Sequence, residues 1–278
     1  AAPHDELSIG ATASRDIFRV TIALRIEALT AGLGADAPPV SGTVHSVFAH
    51  AANIELVPAR LLGLVAREIG GVPRGFQLAT SPGFDFAAHF HVGASVAFRS
   101  GILRIADTPL AIDIRTARPW RSELRNIGMN PDDKNVRRAW TGAWAALRDH
   151  GGANAFAVQA AAPIEIVAGA TRPVRAGDVR TAISRLVGLG DGLTPAGDDF
   201  IVGFLAGLRS TAETPARMTL ATTIAEAVAG NVARTGTISR HYLEAALEGE
   251  VSEPLARLAA ALGSGNEAET ARAHAAAL

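Results

Sequence analysis

Along residues 12–31 apolar side chains recur at helical spacing. Ile17, Val20, Leu24 and Ala28 share one side, and Gly32 and Gly34 close the run. This pattern predicts an opening helix. After Pro38 and Pro39 the period shortens. Residues 43–48, 54–57, 76–78, 86–92 and 110–114 read as short strands. Residues 96–105 predict a hairpin turning at Ser100 and Gly101, and residues 61–69 fit a strand or a helix equally. Short strands at this spacing predict a β-rich unit over roughly residues 40–115, barrel or sandwich-like.

From Pro119 the pattern becomes helical. Asn130 is the expected cap of a helix with Pro131 at its first position. That helix carries Val136, Ala139, Trp140, Ala143, Trp144 and Leu147. The pair Trp140 and Trp144, four residues apart, reads as core or as a subunit interface. A short β-like insert is expected at residues 162–168, then a helix at 178–187 and another through Phe200, Phe204 and Leu208. Further helices are expected at about 216–230, 238–248, 253–262 and 266–277. The predicted fold class is α+β. A helix and β-rich unit (residues 1–118) precedes a mainly α-helical unit (residues 119–278).

Composition narrows the function classes. With 278 residues, 48% of them apolar and 19% charged, the chain buries a substantial core, and its apolar surplus suggests subunit contacts such as a homo-oligomer. A net charge of −1 argues against the broad basic face that nucleic acid requires. The absence of cysteine excludes disulfides, thiolate catalysis and Cys-ligated metals. Lys134, the only lysine, sits beside Asp132 and Asp133, which argues against Schiff-base chemistry. No uninterrupted apolar run is long enough to span a membrane, and residues 1–7 show neither a basic nor an apolar leader segment. A soluble cytoplasmic protein without membrane partners is the expectation.

The chemistry concentrates in residues 188–203, GLGDGLTPAGDDFIVG. Gly188, Gly190 and Gly192 alternate, which lets the backbone take positive φ and approach another group closely. Thr194 suits a helix N-cap and Pro195 the first helical position. Free N–H groups at such a start attract anions. Asp198 and Asp199 repel a bare anion, whereas a Mg²⁺ ion between them and a phosphate or carboxylate reconciles both features. Capping alone accounts for Thr194, Pro195 and one aspartate, but not for three alternating glycines and a second aspartate. No lysine follows the glycines, so this is not a Walker A loop. A helix rather than a strand precedes it, so it is not a dinucleotide fingerprint, and no organic cofactor is predicted.

A second polar cluster runs from Arg234 through Thr237, Ser239 and Arg240 to His241. Thr237 or Ser239 suits a helix cap, and Arg234 and Arg240 suit bidentate capture of a carboxylate or phosphate; an ordinary capped loop is an equal reading. His89 and His91, two apart on an expected strand, would share one face, with His45 on an earlier strand as a third metal ligand. As a pair they read more readily as structural.

The first motif resembles the signature of the AllH family, G-x-G-x-G-L-T-P-x-G-D-D-x-x-x-G, over residues 188–203. The resemblance extends to Val44-His45-Ser46-Val47-Phe48 with Asn53, and to residues 234–249 with Thr237, Ser239, Leu243 and Gly249. It implies a subunit of oxamate carbamoyltransferase, which moves a carbamoyl group between oxalurate and phosphate, assembled with AllF (FdrA-like) and AllG-like partners. The Ser-x-Arg-Thr phosphate loop of ordinary transcarbamoylases is missing, so the small anionic substrate falls to the glycine loop. On this reading Gly190, Gly192, Thr194, Ala196 and Gly197 line the anion, Asp198 and Asp199 hold Mg²⁺ or act as base, and Arg234, Thr237, Ser239 and Arg240 take the carboxylate end. A non-catalytic anion-binding or scaffold subunit is the alternative. A metal-dependent hydrolase built on His89, His91 and an aspartate is a third.

Overall fold

The structure is a computed structural model, describing residues 24–35, 41–56, 60–150, 155–169, 176–211 and 213–277. Among the described residues nine strands come first: β1 (Leu24–Gly32), β2 (Ser41–Val47), β3 (Ala51–Leu56), β4 (Arg60–Val65), β5 (Gly75–Leu78), β6 (Ser95–Arg99), β7 (Ile102–Ile105), β8 (Leu110–Asp113) and β9 (Arg118–Trp120). Their hydrogen-bonded order is β5-β4-β3-β2-β6-β7-β8-β1-β9, and β1 also pairs with β5. That extra pairing closes eight strands into a barrel, which removes the open sheet edges. Most pairs are antiparallel. β1 runs parallel to β8 through residues 24–27 and to β9 through residues 30–32. Inward-facing Ile54, Leu62, Leu64, Phe76, Leu78, Leu103 and Ile112 fill the interior.

Two sequence expectations fail in this unit. The predicted helix over residues 12–31 lies partly outside the described residues, and its described part is strand β1. There Ile26 and Ala28 are buried while Arg25 and Glu27 are exposed, a period of two that the wider helical reading concealed. Residues 86–92 form no strand. Asp85 accepts from the Ala87 N–H at 2.9 Å and caps a 3₁₀ turn over Phe86–Ala88. Phe86 and Phe90, four apart, stack at 5.2 Å between ring centroids. Aromatic spacing of four, not alternation, decided that segment. The ambiguous stretch 61–69 divides into β4 and a 3₁₀ turn over Arg67–Ile69.

Eight helices follow among the described residues: α1 (Lys134–His150), α2 (Ala155–Gly169), α3 (Ala176–Leu186), α4 (Ala196–Ser210), α5 (Pro215–Ala229), α6 (Thr237–Glu248), α7 (Glu253–Ser264) and α8 (Glu267–Ala277). The α+β reading therefore holds. None is long and apolar enough to cross a membrane. Asn130 does not cap α1. It closes a turn, and the Asp133 carboxylate accepts from the Asn135 and Val136 N–H groups at 2.7 and 3.2 Å at the helix start. The β-like insert at 162–168 is helix α2. Ala160, Ile164 and Val167 pack inward at helical spacing around Pro163, so that face outweighs the local alternation. Trp140 and Trp144 are not core. They are 45% and 59% exposed and share one face of α1 with half-exposed Leu147.

The two units are joined by polar contacts. Glu253 donates its N–H to the Gly71 carbonyl at 2.8 Å and accepts the Gly71 N–H on its carboxylate at 2.5 Å. Buried Glu250 accepts from the Ser122 N–H at 3.1 Å. Arg74, at φ 51°, donates to Glu244 and Glu248 on α6 at 3.0 and 2.6 Å.

Candidate functional site

The glycine loop spans the gap between α3 and α4. Gly188, Gly190 and Gly192 all take positive φ, at 72°, 117° and 93°. Two of them are also required by packing. A Cβ on Gly188 would lie 2.6 Å from the Arg234 carbonyl oxygen, and one on Gly190 would lie 2.9 Å from the Ala196 nitrogen. Gly192 meets open space, so only its backbone angle asks for glycine. The N-cap of α4 is Pro195 rather than Thr194. The Pro195 carbonyl accepts from the Asp198 and Asp199 N–H groups at 2.9 and 3.2 Å, and the Thr194 side chain makes no cap bond. Proline has no N–H to satisfy, which suits it to the boundary itself.

Gly197 is buried, its N–H is given to the Leu189 carbonyl at 2.8 Å, and a Cβ there would collide with the Leu186 carbonyl. Its role is to let α4 close on α3. The N–H groups of Gly190, Gly192 and Ala196 donate to no protein acceptor among the described residues. Ala196 opens α4, and Gly190 lies against the Ala196 nitrogen, where the positive end of the α4 dipole emerges.

The two aspartates face opposite ways. Asp198 is 1% exposed and is held by three donors. Its Oδ1 accepts the Gly188 N–H at 2.9 Å, and its Oδ2 accepts the Ser239 hydroxyl at 2.6 Å and the buried Thr235 hydroxyl. One carboxylate thus ties the glycine loop, the turn before α6 and α6 itself together. Asp199 lies on the surface of the same helical turn. Partial burial of its carboxyl, and after that the negative charge of Asp198, push its pKa up to about 6.

The second polar cluster divides in the same manner. Neither Thr237 nor Ser239 caps α6, whose N-cap is Gly236 without a side-chain bond. Ser239 turns inward to Asp198, while Thr237 and Arg240 face a cleft against the barrel. Arg234 reaches back to the Ser184 carbonyl at the end of α3, with Asn231 at 3.4 Å. It braces the loop from outside, through a guanidinium that is still exposed. A wider crevice of about 390 Å³ over β2, β3 and β6 has Glu55 as its one ionisable lining residue among the described residues.

The histidines do not converge. His89 ends the 3₁₀ turn and stacks on Phe84 at 4.7 Å, His91 lies in an exposed turn, and His45 sits at a bulge in the β2–β3 pairing. Among the described residues no three His, Asp or Glu side chains gather as a metal site. The hydrolase reading loses its geometry with the strand that was to carry it. Near that bulge buried Asn53 donates to Ser46 at 3.0 Å, which gives the early motif a structural task.

Sequence reasoning did not single out Arg60 and Arg74, and it gave His241 no role beyond closing the second cluster; all three join Thr237 and Arg240 around the cleft. Residues about 170 positions apart meet there, and no local pattern announces such a pairing. The Pro73-Arg74-Gly75 turn, with its strained arginine, was the one available signal.

A family model described as oxamate carbamoyltransferase subunit AllH matches residues 186–278, and one described as the AllH family N-terminal domain matches residues 21–119. Neither a curated protein nor a solved structure matches the chain.

Proposed function

The chain belongs to the AllH family, and we propose that it is the subunit of an oxamate carbamoyltransferase-like enzyme that holds the anionic substrate at the glycine loop. The reaction moves a carbamoyl group between oxalurate and phosphate. A phosphate oxygen bonds to the carbamoyl carbon, the bond from that carbon to the oxamate nitrogen breaks, and the nitrogen takes up a proton. The products are oxamate and carbamoyl phosphate.

The observation that carries this reading is the division of labour between the aspartates. Asp198 is fully engaged in shaping the loop, which leaves the Gly190, Gly192 and Ala196 N–H groups free for developing negative charge. Asp199 is exposed on the first turn of the helix that Ala196 opens, with a pKa raised to about 6, near the range where a carboxyl both gives and takes protons. It serves the nitrogen of the oxamate fragment. Asp198 is a positioning residue. A Mg²⁺ ion arriving with phosphate would meet Asp199 rather than Asp198, which is 1% exposed beneath its three donors.

The test is reconstitution with AllF (FdrA-like) and AllG-like subunits and measurement of carbamoyl phosphate formation. Asp199→Asn is expected to lower kcat by about 10²–10⁴-fold, the usual contribution of a general acid–base group. Full activity of that variant overturns the reading.

The exposed face of α1 favours a second reading, a subunit whose task is assembly. Trp140, Trp144 and Leu147 form an apolar stripe suited to a partner subunit of the complex. If Trp144→Ala abolishes assembly while Asp199→Asn leaves the rate intact, the scaffold reading replaces the catalytic one.

A further inference from the structure

The outer wall of the barrel carries a charged face on β6, β7, β8 and β1. Along these strands Ile26, Phe98, Leu103 and Ile112 point into the core, so the alternate residues point out. Register sets those in rows. Arg104 on β7 and Arg25 on β1 flank Ala111 on β8, and in the next row Arg99, Ile102, Asp113 and Glu27 follow one another. At about 4.8 Å per strand, Arg25 and Arg104 start about 10 Å apart. The face is built around one buried carboxylate. Asp113 points outward yet is 2% exposed, because two guanidiniums cover it. Arg115 gives it a backbone N–H, Nε and Nη2 at 3.0, 3.0 and 2.8 Å, and Arg25 adds an ion pair. The Arg115 stem crosses Gly101, where a Cβ would collide with its Cγ, so the glycine of the β6–β7 turn lets the arginine reach across.

Asp113 fixes Arg25 and Arg115 in place, yet 51% and 55% of their side-chain surface stays open. Exposed Arg99 and Arg104 have no ion pair or side-chain hydrogen bond among the described residues. Four guanidiniums against Asp113 and Glu27 leave this face positive, in a chain of net charge −1. In the closed order of eight strands β7 stands opposite β4, the strand on which α6 packs, so the face points away from α6. Arginine stems over Ala111, with half-buried Ala97 and Ile102 beside them, make it shallow, which suits a protein surface. Arginine matches carboxylates bidentately and is the cation enriched in protein interfaces, where lysine is depleted. Nucleic acid or an anionic bilayer needs a broad basic face, whereas Glu27 stands in this one and the chain as a whole is slightly acidic.

We propose that this barrel face docks an acidic surface of another subunit, whose carboxylates pair with Arg99, Arg104 and the two arginines held by Asp113. The inference rests on the chain being one subunit of a larger enzyme, and not on the chemistry of the glycine loop.

Sedimentation velocity of the full chain mixed with the AllF (FdrA-like) and AllG-like subunits, each alone and both together, tests it. Wild type is expected to associate, and more weakly as NaCl rises from about 50 to about 300 mM. The double variant Arg99→Glu, Arg104→Glu is expected to bind about tenfold or more weakly at low salt with an unchanged Tm, since neither side chain has a partner among the described residues. Arg99→Lys, Arg104→Lys should recover part of the loss. A complex that assembles through this face but forms no carbamoyl phosphate would sink the loop chemistry and leave the interface standing. Equal association of the Glu variant overturns the proposal, as does a wild type that binds neither subunit or binds without salt dependence. Loss of assembly confined to Trp144→Ala moves the interface to α1. A Glu variant that breaks up a homo-oligomer makes a second copy the occupant, and binding to phosphatidylserine vesicles by wild type alone makes it a membrane; each of these three results overturns the proposal as stated.

Discussion

Replacing Asp198 with alanine removes the acceptor for three donors at once. The Gly188 N–H, the Thr235 hydroxyl and the Ser239 hydroxyl all end on this carboxylate, which is 1% exposed. Each buried donor left unmet costs about 1–3 kcal/mol. The two hydroxyls can rotate toward backbone carbonyls, while the Gly188 N–H is fixed, so the expected loss is about 4 kcal/mol rather than the full sum. For a chain of this size that corresponds to a fall in Tm of about 10 °C. Asp198→Asn keeps one acceptor oxygen and the shape, and should cost about half as much. The assay is urea and thermal unfolding followed by far-ultraviolet circular dichroism, with a double-mutant cycle against Ser239→Ala. The serine change should be costly in wild type and nearly silent beside Asp198→Ala, a coupling above about 1 kcal/mol. An alanine variant within about 1 kcal/mol of wild type, or a cycle without coupling, would refute the view that Asp198 holds the loop on α6.

Three further outcomes are expected. Gly188→Ala should lose about 3 kcal/mol, because positive φ and the Arg234 carbonyl 2.6 Å from the new Cβ act together, whereas Gly192→Ala, strained but unobstructed, should lose about 1–2 kcal/mol; denaturant titrations giving the reverse order would contradict the loop geometry. Asp199 has its pKa raised from 3.8 to about 6, so its contribution to stability is present below 3.8 and disappears as pH rises through 6. Asp199→Asn should therefore stabilise the protein at pH 8 but not at pH 4, by about 1 kcal/mol once solvent screening of this exposed side chain is allowed for; a Tm difference independent of pH would count against it. His241 shows the opposite sign. Its pKa is lowered from 6.5 to about 4, so the stabilisation present above 6.5 is lost as pH falls toward 4, by up to roughly 3 kcal/mol, and His241→Gln should flatten that acid limb in Tm measured across the window.

Much of the fold was legible from side-chain periodicity, and its failures share one cause. Residues 24–32, 86–92 and 162–168 each support two periods, and the partner surface chose between them. Leu24 and Ala28 fit a helix until β5, β8 and β9 flank them. Ala160 and Val167 belong to a helix because α3 lies against it. The site was legible in the same partial way. The alternating glycines with positive φ follow from local backbone sterics, and three of them behave as their spacing suggests. The two aspartates look equivalent in sequence but differ in role, because one step along a helix turns a side chain by about 100°.

The sequence by itself determined most of the elements and the special turn. Helical and strand periods, glycine angles and proline boundaries are short-range properties, set by sterics within a few residues. Only the tertiary structure decided which polar groups are occupied. It buried Asp198 under Thr235 and Ser239, left Asp199 at the surface, sent Arg234 back to α3 and brought Arg60 and Arg74 of the barrel unit against Arg240. Desolvation and charge pairing depend on what lies within a few ångströms in space, and for these residues the neighbours come from far along the chain.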